Sequence, residues 1–165
     1  MGRIVTREEV AHLAAGLRKQ GKKVVLTNGC FDLLHIGHLR YLQAARALGD
    51  VLAVAVNSDG SVHRLKGPDR PFVKEDERVE LIAGLAAVDY AFIFSELTAD
   101  ANLREIRPDI YVKGGDYNRA NLPETAAADA CGAELVFISP IDGKSTSGLA
   151  ETITRVKEGK KTDQA

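Results

Sequence analysis

The chain has no tryptophan, few other aromatic residues and no marked excess of charge of either sign. Its 22 Lys and Arg residues against 23 Asp and Glu residues leave a formal net charge of −1. That balance lacks the basic excess that binds nucleic acid or an anionic membrane, and an aromatic content of 5% supplies no base-stacking set. We therefore predict no nucleic-acid partner, and any phosphate-binding site must be local.

Cysteines and long apolar runs are also scarce. Cys30 and Cys131 lie far apart and form no metal-ligand or redox pair, which favours free thiols in a reducing compartment over a disulfide. The most apolar runs, such as 51–56, have the length of a strand and fall far short of the ~20 residues that span a bilayer. Charged residues at 7–9 interrupt the N-terminus, which has no apolar core like that of a signal peptide. These features predict a cytoplasmic protein that does not enter a membrane.

Short β-branched runs alternate with longer amphipathic ones along the chain. They predict a parallel sheet of about five strands, at 24–27, 52–57, 90–94, 110–113 and 135–138. Helices are predicted at 6–20, 39–48, 75–85, 100–106, 124–131 and 145–157. This alternation implies right-handed crossovers, so we expect an α/β fold: a single doubly wound Rossmann-like domain spanning 1–165. Ligands of such sheets bind beyond the carboxyl ends of the strands.

Three segments have local signals of their own. A capping box, Thr-x-x-Glu, begins the helix of the N-terminal segment 1–21. Residues 58–74 are polar and charged, and one glycine and two prolines within 66–72 predict a mobile loop. The polar tail 159–165 is expected to fray.

The strongest chemical signal is the run Thr-Asn-Gly-Cys-Phe-Asp-Leu-Leu-His-Ile-Gly-His at 27–38. It begins where a predicted strand ends and finishes where a helix begins, and a helix N-terminus offers free backbone N–H groups to a phosphate. Gly37 leaves room for a phosphate to approach the backbone. His35 and His38 are three residues apart, so both imidazoles can face one side and stabilise charge that develops on a phosphoryl group.

The histidine pair has two other interpretations. A His-x-x-His pair by itself is more often a surface or core feature than a site, but the adjoining Gly37, the strand-to-helix turn and the upstream Asn-Gly reverse that preference. A zinc site is disfavoured because no third ligand lies nearby and the helical His-Glu-x-x-His pattern is absent.

Residues 29–38 resemble the signature of the cytidylyltransferase-like nucleotidyltransferase superfamily. The segments at 54–59, 64–67, 70–71 and 112–117 add a closer likeness to the adenylyltransferases of the ADP-heptose pathway, and the resemblance covers about 22–153. It implies transfer of AMP from ATP to D-glycero-D-manno-heptose 1-phosphate, which gives ADP-heptose and pyrophosphate by direct in-line displacement. The alternatives are a cytidylyltransferase for glycerol 3-phosphate or a similar alcohol phosphate, and a nucleotide-binding module without catalysis.

The resemblance also implies site residues. The catalytic set is His35, His38, Lys66 and Arg78. The nucleotide-binding set is Asn28, Gly29, Cys30, Phe31, Gly37, Lys113, Gly114, Asp116, Ser145, Thr146 and Ser147. The substrate-binding set is Asp32, Asn57, Asp59 and Lys66.

Several of these residues have plainer alternatives. Asp59 fits a helix cap equally well, and Lys66 and Arg78 would otherwise be read as solvated side chains. Gly114 fits an ordinary Gly-Gly turn, and Ser145 and its neighbours fit a helix N-cap. Relatives commonly have Ser-Thr-Thr followed by a bulkier residue and then Ile, whereas this chain has Ser147, Gly148 and Leu149, which weakens that part of the likeness.

Cofactor and partner expectations follow from the same likeness. Mg²⁺ is expected to enter with ATP and to bridge its phosphate oxygens, because the sequence shows no carboxylate cage and hence no protein metal site. Since a kinase does not fit within 165 residues, a separate heptose kinase is expected to supply the sugar 1-phosphate. A homodimer is expected because relatives in this superfamily are often dimers.

Overall fold

Strands and helices alternate in the computed structural model, which describes residues 1–139. The strands are β1 Arg3–Ile4, β2 Val24–Gly29, β3 Val51–Asn57, β4 Tyr90–Phe94, β5 Ile110–Gly114 and β6 Glu134–Ile138. The helices are α1 Arg7–Lys19, α2 Ile36–Arg46, α3 Asp59–Lys66, α4 Glu75–Gly84, α5 Asp100–Ile106 and α6 Thr125–Cys131. None of the helices in this part of the chain is long and apolar enough to cross a membrane.

The strands form one all-parallel sheet in the order β1-β4-β3-β2-β5-β6. All seven residues of β3 are buried, as expected for a central parallel strand that is covered on both faces. One core joins the sheet to α1, α5 and α6, and a second core on the other face joins it to α2 and α4. The sheet is therefore doubly wound, and the predicted fold class is confirmed.

The position of the candidate site follows from the strand order. From β2 the chain moves to one side for β3 and β4, and then crosses to the other side of β2 for β5 and β6. This reversal leaves a crevice beyond the carboxyl ends of β2 and β5, where open α/β sheets bind their ligands. Gly29 and Gly114 end these two strands.

The structure confirms the five predicted strands and adds a short sixth. Strand β1 pairs with β4 over only two residues, Arg3 and Ile4, and a segment of that length has no readable periodicity. The N-terminal capping box is also confirmed: the Glu9 backbone N–H donates to Thr6 Oγ1 at 3.2 Å, and Thr6 N–H donates to Glu9 Oε2 at 2.7 Å.

Within the polar segment 58–74 only a loop at 66–72 was predicted, and the structure adds a helix to the segment. Its first half is helix α3, capped by Ser58, whose hydroxyl accepts a hydrogen bond from the Ser61 N–H at 3.2 Å. Only the segment 67–73, here called the 67–73 loop, lacks regular structure. The predicted helix at 145–157, the tail at 159–165 and the candidate residues Ser145, Thr146 and Ser147 lie outside the described residues.

Candidate active site

The two histidines of the signature lie against each other at the start of α2. His35 is the N-cap residue, and its Nδ1 accepts a hydrogen bond from the Gly37 N–H at 3.1 Å. With Nδ1 acting as an acceptor, the neutral ring carries its proton on Nε2. The ring centroids of His35 and His38 are 4.0 Å apart. The predicted pair is thus brought together by the turn that begins the helix.

His38 is held as a neutral imidazole. Burial and, to a smaller extent, the neighbouring His35 together lower the pKa of this histidine to about 4. The edge of the Phe31 ring contacts it at a centroid distance of 5.5 Å, and its Nδ1 is buried with no hydrogen-bond partner in the structure as described. A neutral ring in a confined place can donate a hydrogen bond at physiological pH without carrying a charge of its own.

This low pKa makes folding stability depend on pH. The folded state binds the His38 proton more weakly than the unfolded chain does. The contribution of His38 to the free energy of unfolding is therefore complete above about pH 6.5 and is lost as the pH falls towards about 4. We expect a loss of about 1–2 kcal/mol after allowance for partial solvent access. Denaturant unfolding at several pH values, with the wild type compared with His38→Gln, isolates this contribution; equal pH slopes in the two proteins would contradict it.

A second group of polar side chains lies at the ends of β2 and β5. The Lys113 ammonium donates to Asn28 Oδ1 at 2.8 Å, and the Tyr111 hydroxyl donates to the same oxygen at 2.6 Å. Burial lowers the pKa of Lys113, while the negative charge of Glu124 raises it. The structure therefore brings two of the predicted nucleotide-binding residues, Asn28 and Lys113, into contact across the switch point.

The glycine at 114 has a packing function. A Cβ at this position would lie 2.9 Å from the ring of Tyr41, too close for an unshifted side chain. The Tyr41 hydroxyl donates to the Val112 carbonyl at 3.1 Å and lies 2.6 Å from Thr27 Oγ1. Gly115 has φ +95°, a conformation that favours glycine. The first glycine of the pair is thus required by α2 as well as by any ligand.

Asp32 anchors the 67–73 loop to the histidine turn. Its carboxylate is nearly buried and accepts hydrogen bonds from Arg70 Nε at 2.7 Å and from the N–H groups of Phe72 and Val73 at 2.8 and 3.0 Å. Three protein donors thus surround this carboxylate, which holds the loop against the turn after β2. Its predicted direct contact with substrate stays a prediction.

Arg78 is fully buried, and its guanidinium lies inside the protein. It donates to the Val73 carbonyl at 2.8 Å, to the Cys30 carbonyl at 2.5 Å and to Asp59 Oδ1 at 2.9 Å. The interpretation as a solvated helix face is wrong, because α4 places this side chain against the turn after β2. Its predicted contact with phosphate stays a prediction.

The remaining predicted residues of 1–139 divide into buried and exposed groups. Asn57 is buried, and its Nδ2 donates to Ser61 Oγ at 2.9 Å. Asp59 also lies 3.5 Å from the Lys74 ammonium. Lys66, at the end of α3, and Asp116, after β5, are exposed. A ligand can therefore contact Lys66 and Asp116 without any rearrangement of the core.

The turn between β2 and α2 contributes its backbone. Phe31 has φ +45°, which is uncommon for a residue other than glycine, and its ring lies where a Cβ on Gly29 would contact it at 3.0 Å. Burial raises the pKa of the Cys30 thiol, which therefore stays protonated at physiological pH. These residues shape the turn, and the contact of the Cys30 backbone with nucleotide stays a prediction.

Sequence reasoning missed the residues that support the site. Tyr111 lies two positions before Lys113 and hence on the same face of β5, a spacing that could have indicated it. Glu124, whose Oε1 lies 3.7 Å from the Lys113 ammonium, left no local signal, because it is brought there by α6. Across residues 1–139, no group of three or more His, Cys, Asp or Glu side chains is arranged to hold a metal ion.

A doubly wound parallel sheet with a histidine pair on a helix N-terminus at its switch point defines a nucleotide-binding α/β domain. The cytidylyltransferase-like family model matches residues 26–129. The chain belongs to this cytidylyltransferase-like family.

Curated relatives carry a more specific name. The chain is 44% identical over 92% of its length to the bifunctional protein HldE of Syntrophotalea carbinolica, of which it covers 31%. It is 49% identical over 82% of its length to the bifunctional protein HldE of Azotobacter vinelandii, of which it covers 29%. The chain thus spans about a third of the length of the curated relatives it matches.

A solved structure shares the fold. The crystal structure of the lipopolysaccharide core biosynthesis protein from Thermoplasma volcanium superposes with a TM-score of 0.65 at 32% identity. The match covers 74% of this chain and 100% of that protein. The likeness therefore extends over about three quarters of this chain.

Proposed function

We propose that this chain is an adenylyltransferase that transfers AMP from ATP to D-glycero-D-manno-heptose 1-phosphate, giving ADP-heptose and pyrophosphate. The observation that carries the proposal is the pair of His35 and His38, packed at the N-terminus of α2 beside the switch point. The resemblance of 112–117 to the ADP-heptose branch supports the choice of acceptor, as do relatives named HldE and a lipopolysaccharide core biosynthesis protein.

The reaction needs positioning and charge stabilisation more than acid–base chemistry. A phosphate oxygen of the sugar 1-phosphate forms a bond to the α-phosphorus of ATP, and the bond from that phosphorus to the oxygen bridging to the β-phosphate breaks in line. The electron pair leaves with pyrophosphate. Because the acceptor is already ionised at neutral pH, no general base has to remove a proton from it.

The histidines are suited to stabilising the charge that develops on the transferred phosphoryl group. With its Nδ1 engaged by the Gly37 N–H, His35 presents Nε2–H as a donor. His38 is neutral at physiological pH, so it can donate a hydrogen bond to the phosphoryl group without giving up an ion pair within the protein. The dipole of α2, whose positive end lies at this point, adds to the positive potential there.

The other residues are assigned by where they lie. The Asn28 carbonyl oxygen already accepts two hydrogen bonds, so its amide N–H groups are the donors left for the nucleotide. Lys113 and Lys66 supply positive charge for phosphates, and Asp116 accepts hydrogen bonds from the nucleoside. Asp32, Asn57, Asp59 and Arg78 build the wall of the acceptor site, and Ser145, Thr146 and Ser147 bind the β- and γ-phosphates.

Magnesium is assigned to the substrate. The donor set among residues 1–139 does not fit a dedicated Mg²⁺ cage, since Asp32 is already occupied by three protein donors. We propose that Mg²⁺ arrives bound to the triphosphate and neutralises part of its charge. A sugar kinase would supply the acceptor, and the chain would act in the cytoplasm as a homodimer.

Pyrophosphate release with a panel of substrates tests this function. With Mg²⁺ present, ATP or CTP is offered together with heptose 1-phosphate, glycerol 3-phosphate or phosphopantetheine. We expect release only from ATP with heptose 1-phosphate, because a matched acceptor is needed to bring its oxygen in line with the α-phosphorus. Release from CTP with glycerol 3-phosphate would replace the proposed substrates, and nucleotide binding without release in any pair would favour a binding module.

A further inference from the structure

Glu124 is a buried acid that the proposed reaction does not use. It lies immediately before α6, is 3% exposed, and its Oε1 accepts a hydrogen bond from the Ala99 N–H at 3.1 Å. Its second oxygen, Oε2, is buried without a hydrogen-bond partner in residues 1–139. A buried carboxylate held in this way is costly unless a positive charge lies close by.

The charge close to Glu124 is that of Lys113. The Lys113 ammonium lies 3.7 Å from Glu124 Oε1, and both side chains are largely withdrawn from solvent, at 12% and 4% exposed. The same ammonium donates to Asn28 Oδ1. A line of contacts therefore runs from α6 through β5 to the end of β2, where the nucleotide is proposed to bind.

The other groups around Lys113 cannot replace this acid. From β2 it faces the neutral Asn28 amide, and from the turn after β2 the protonated Cys30 thiol. From its own strand it faces the Tyr111 ring, and from the following loop the Tyr117 ring at 5.4 Å. Burial lowers the pKa of Lys113 and Glu124 is the largest influence that raises it. Without Glu124, the desolvated ammonium would lose its carboxylate partner.

We propose that Glu124 is a positioning residue that keeps Lys113 protonated and directed at Asn28, and so sets the pH range over which the site binds a nucleoside triphosphate. The binding half of this inference rests on the function proposed above. The electrostatic half concerns the free protein alone. The two halves are tested by separate measurements.

The first measurement is the pKa of Lys113 in the free protein. Lysine labelled with ¹³C at Cε is followed by NMR against pH, and the Lys113 signal is assigned by its loss in Lys113→Met. We expect Glu124→Gln to lower the pKa of Lys113. Glu134→Gln is the control: it removes an exposed acid at the amino end of β6, away from the carboxyl end of β5 that carries Lys113, and should leave the Lys113 pKa unchanged. An unchanged Lys113 pKa in Glu124→Gln would overturn the proposal, whatever reaction the chain catalyses.

The second measurement is the affinity for ATP by calorimetry from pH 7 to pH 10. We expect Glu124→Gln to weaken binding by about tenfold at the alkaline end and much less at pH 7, since each unit by which the pKa falls changes the protonated fraction up to tenfold. The double variant Glu124→Gln, Lys113→Met should bind ATP no more weakly than Lys113→Met. A loss that is the same at every pH, or that adds to that of Lys113→Met, would show a merely structural role and overturn the proposal.

A third variant covers loss of folding. Should Glu124→Gln not fold, as judged by thermal unfolding, Glu124→Asp keeps the charge but draws the carboxylate back by one methylene. Its Lys113 pKa must then lie below that of the wild type. A value equal to that of the wild type would contradict a dependence on the distance between the two charges.

Discussion

A His38→Ala variant is expected to keep its fold and to lose turnover by about 10²–10⁴-fold. The imidazole is only partly buried, so its removal costs the fold little. Its loss removes a neutral donor beside His35, at the helix N-terminus where the charge of the transferred phosphoryl group is proposed to develop. Because that charge is largest in the transition state, kcat should fall much more than KM rises.

Steady-state pyrophosphate release and thermal unfolding measure the two parts of this prediction. His12→Ala is the matched control, since it removes an exposed imidazole on α1 and should leave turnover unchanged. Wild-type turnover in His38→Ala would remove the histidine pair from the mechanism. Loss of folding in His38→Ala would mean that the ring is structural.

An Arg78→Met variant is expected to lose about 3–5 kcal/mol of the free energy of unfolding. The methionine fills much of the same volume but leaves the carbonyls of Val73 and Cys30 without their donors and Asp59 without its buried partner. Unpaired acceptors in a buried place cost more than the hydrogen bonds themselves contribute. The turn that carries the histidines should loosen as a result.

Denaturant unfolding of Arg78→Met checks this value. Arg104→Met provides the comparison, because Arg104 makes an exposed pair with Asp100 at 3.9 Å within α5 and should cost less than about 1 kcal/mol. If Arg78→Met unfolds like the wild type while losing turnover, the guanidinium acts on phosphate and the bonds seen inside the protein are dispensable.

The strands could be predicted because their signal is local. Buried parallel strands are runs of Val, Leu, Ile and Ala, and β3 consists almost entirely of such residues. Helix α3 could not be predicted in the same way. It contains Gly60 and several charges, and its support is tertiary: Val62 is buried, and Ser61 Oγ donates to the Glu96 carbonyl at 2.9 Å.

The same distinction divides the candidate site. The histidine pair and the Lys-Gly-Gly segment are contiguous motifs at strand ends, so the sequence could place them at one edge of the sheet. The partners of Asp32 and Arg78 could not be read from the chain. Those contacts join residues that are distant in sequence, 38 positions apart for Asp32 and Arg70 and 48 for Cys30 and Arg78, and only the packed fold defines them.

The attachment of Asp32 and Cys30 to the 67–73 loop and α4 has a consequence for how this domain can be rebuilt. The histidine signature is one unbroken stretch of chain, yet it is not a module. Grafted alone onto another strand-to-helix junction, it would carry the imidazoles without the carboxylate clamp and the guanidinium that hold their turn. A graft would have to run at least from the start of β2 to the end of α4, residues 24–84, to contain the turn together with the carboxylate and guanidinium contacts that hold it.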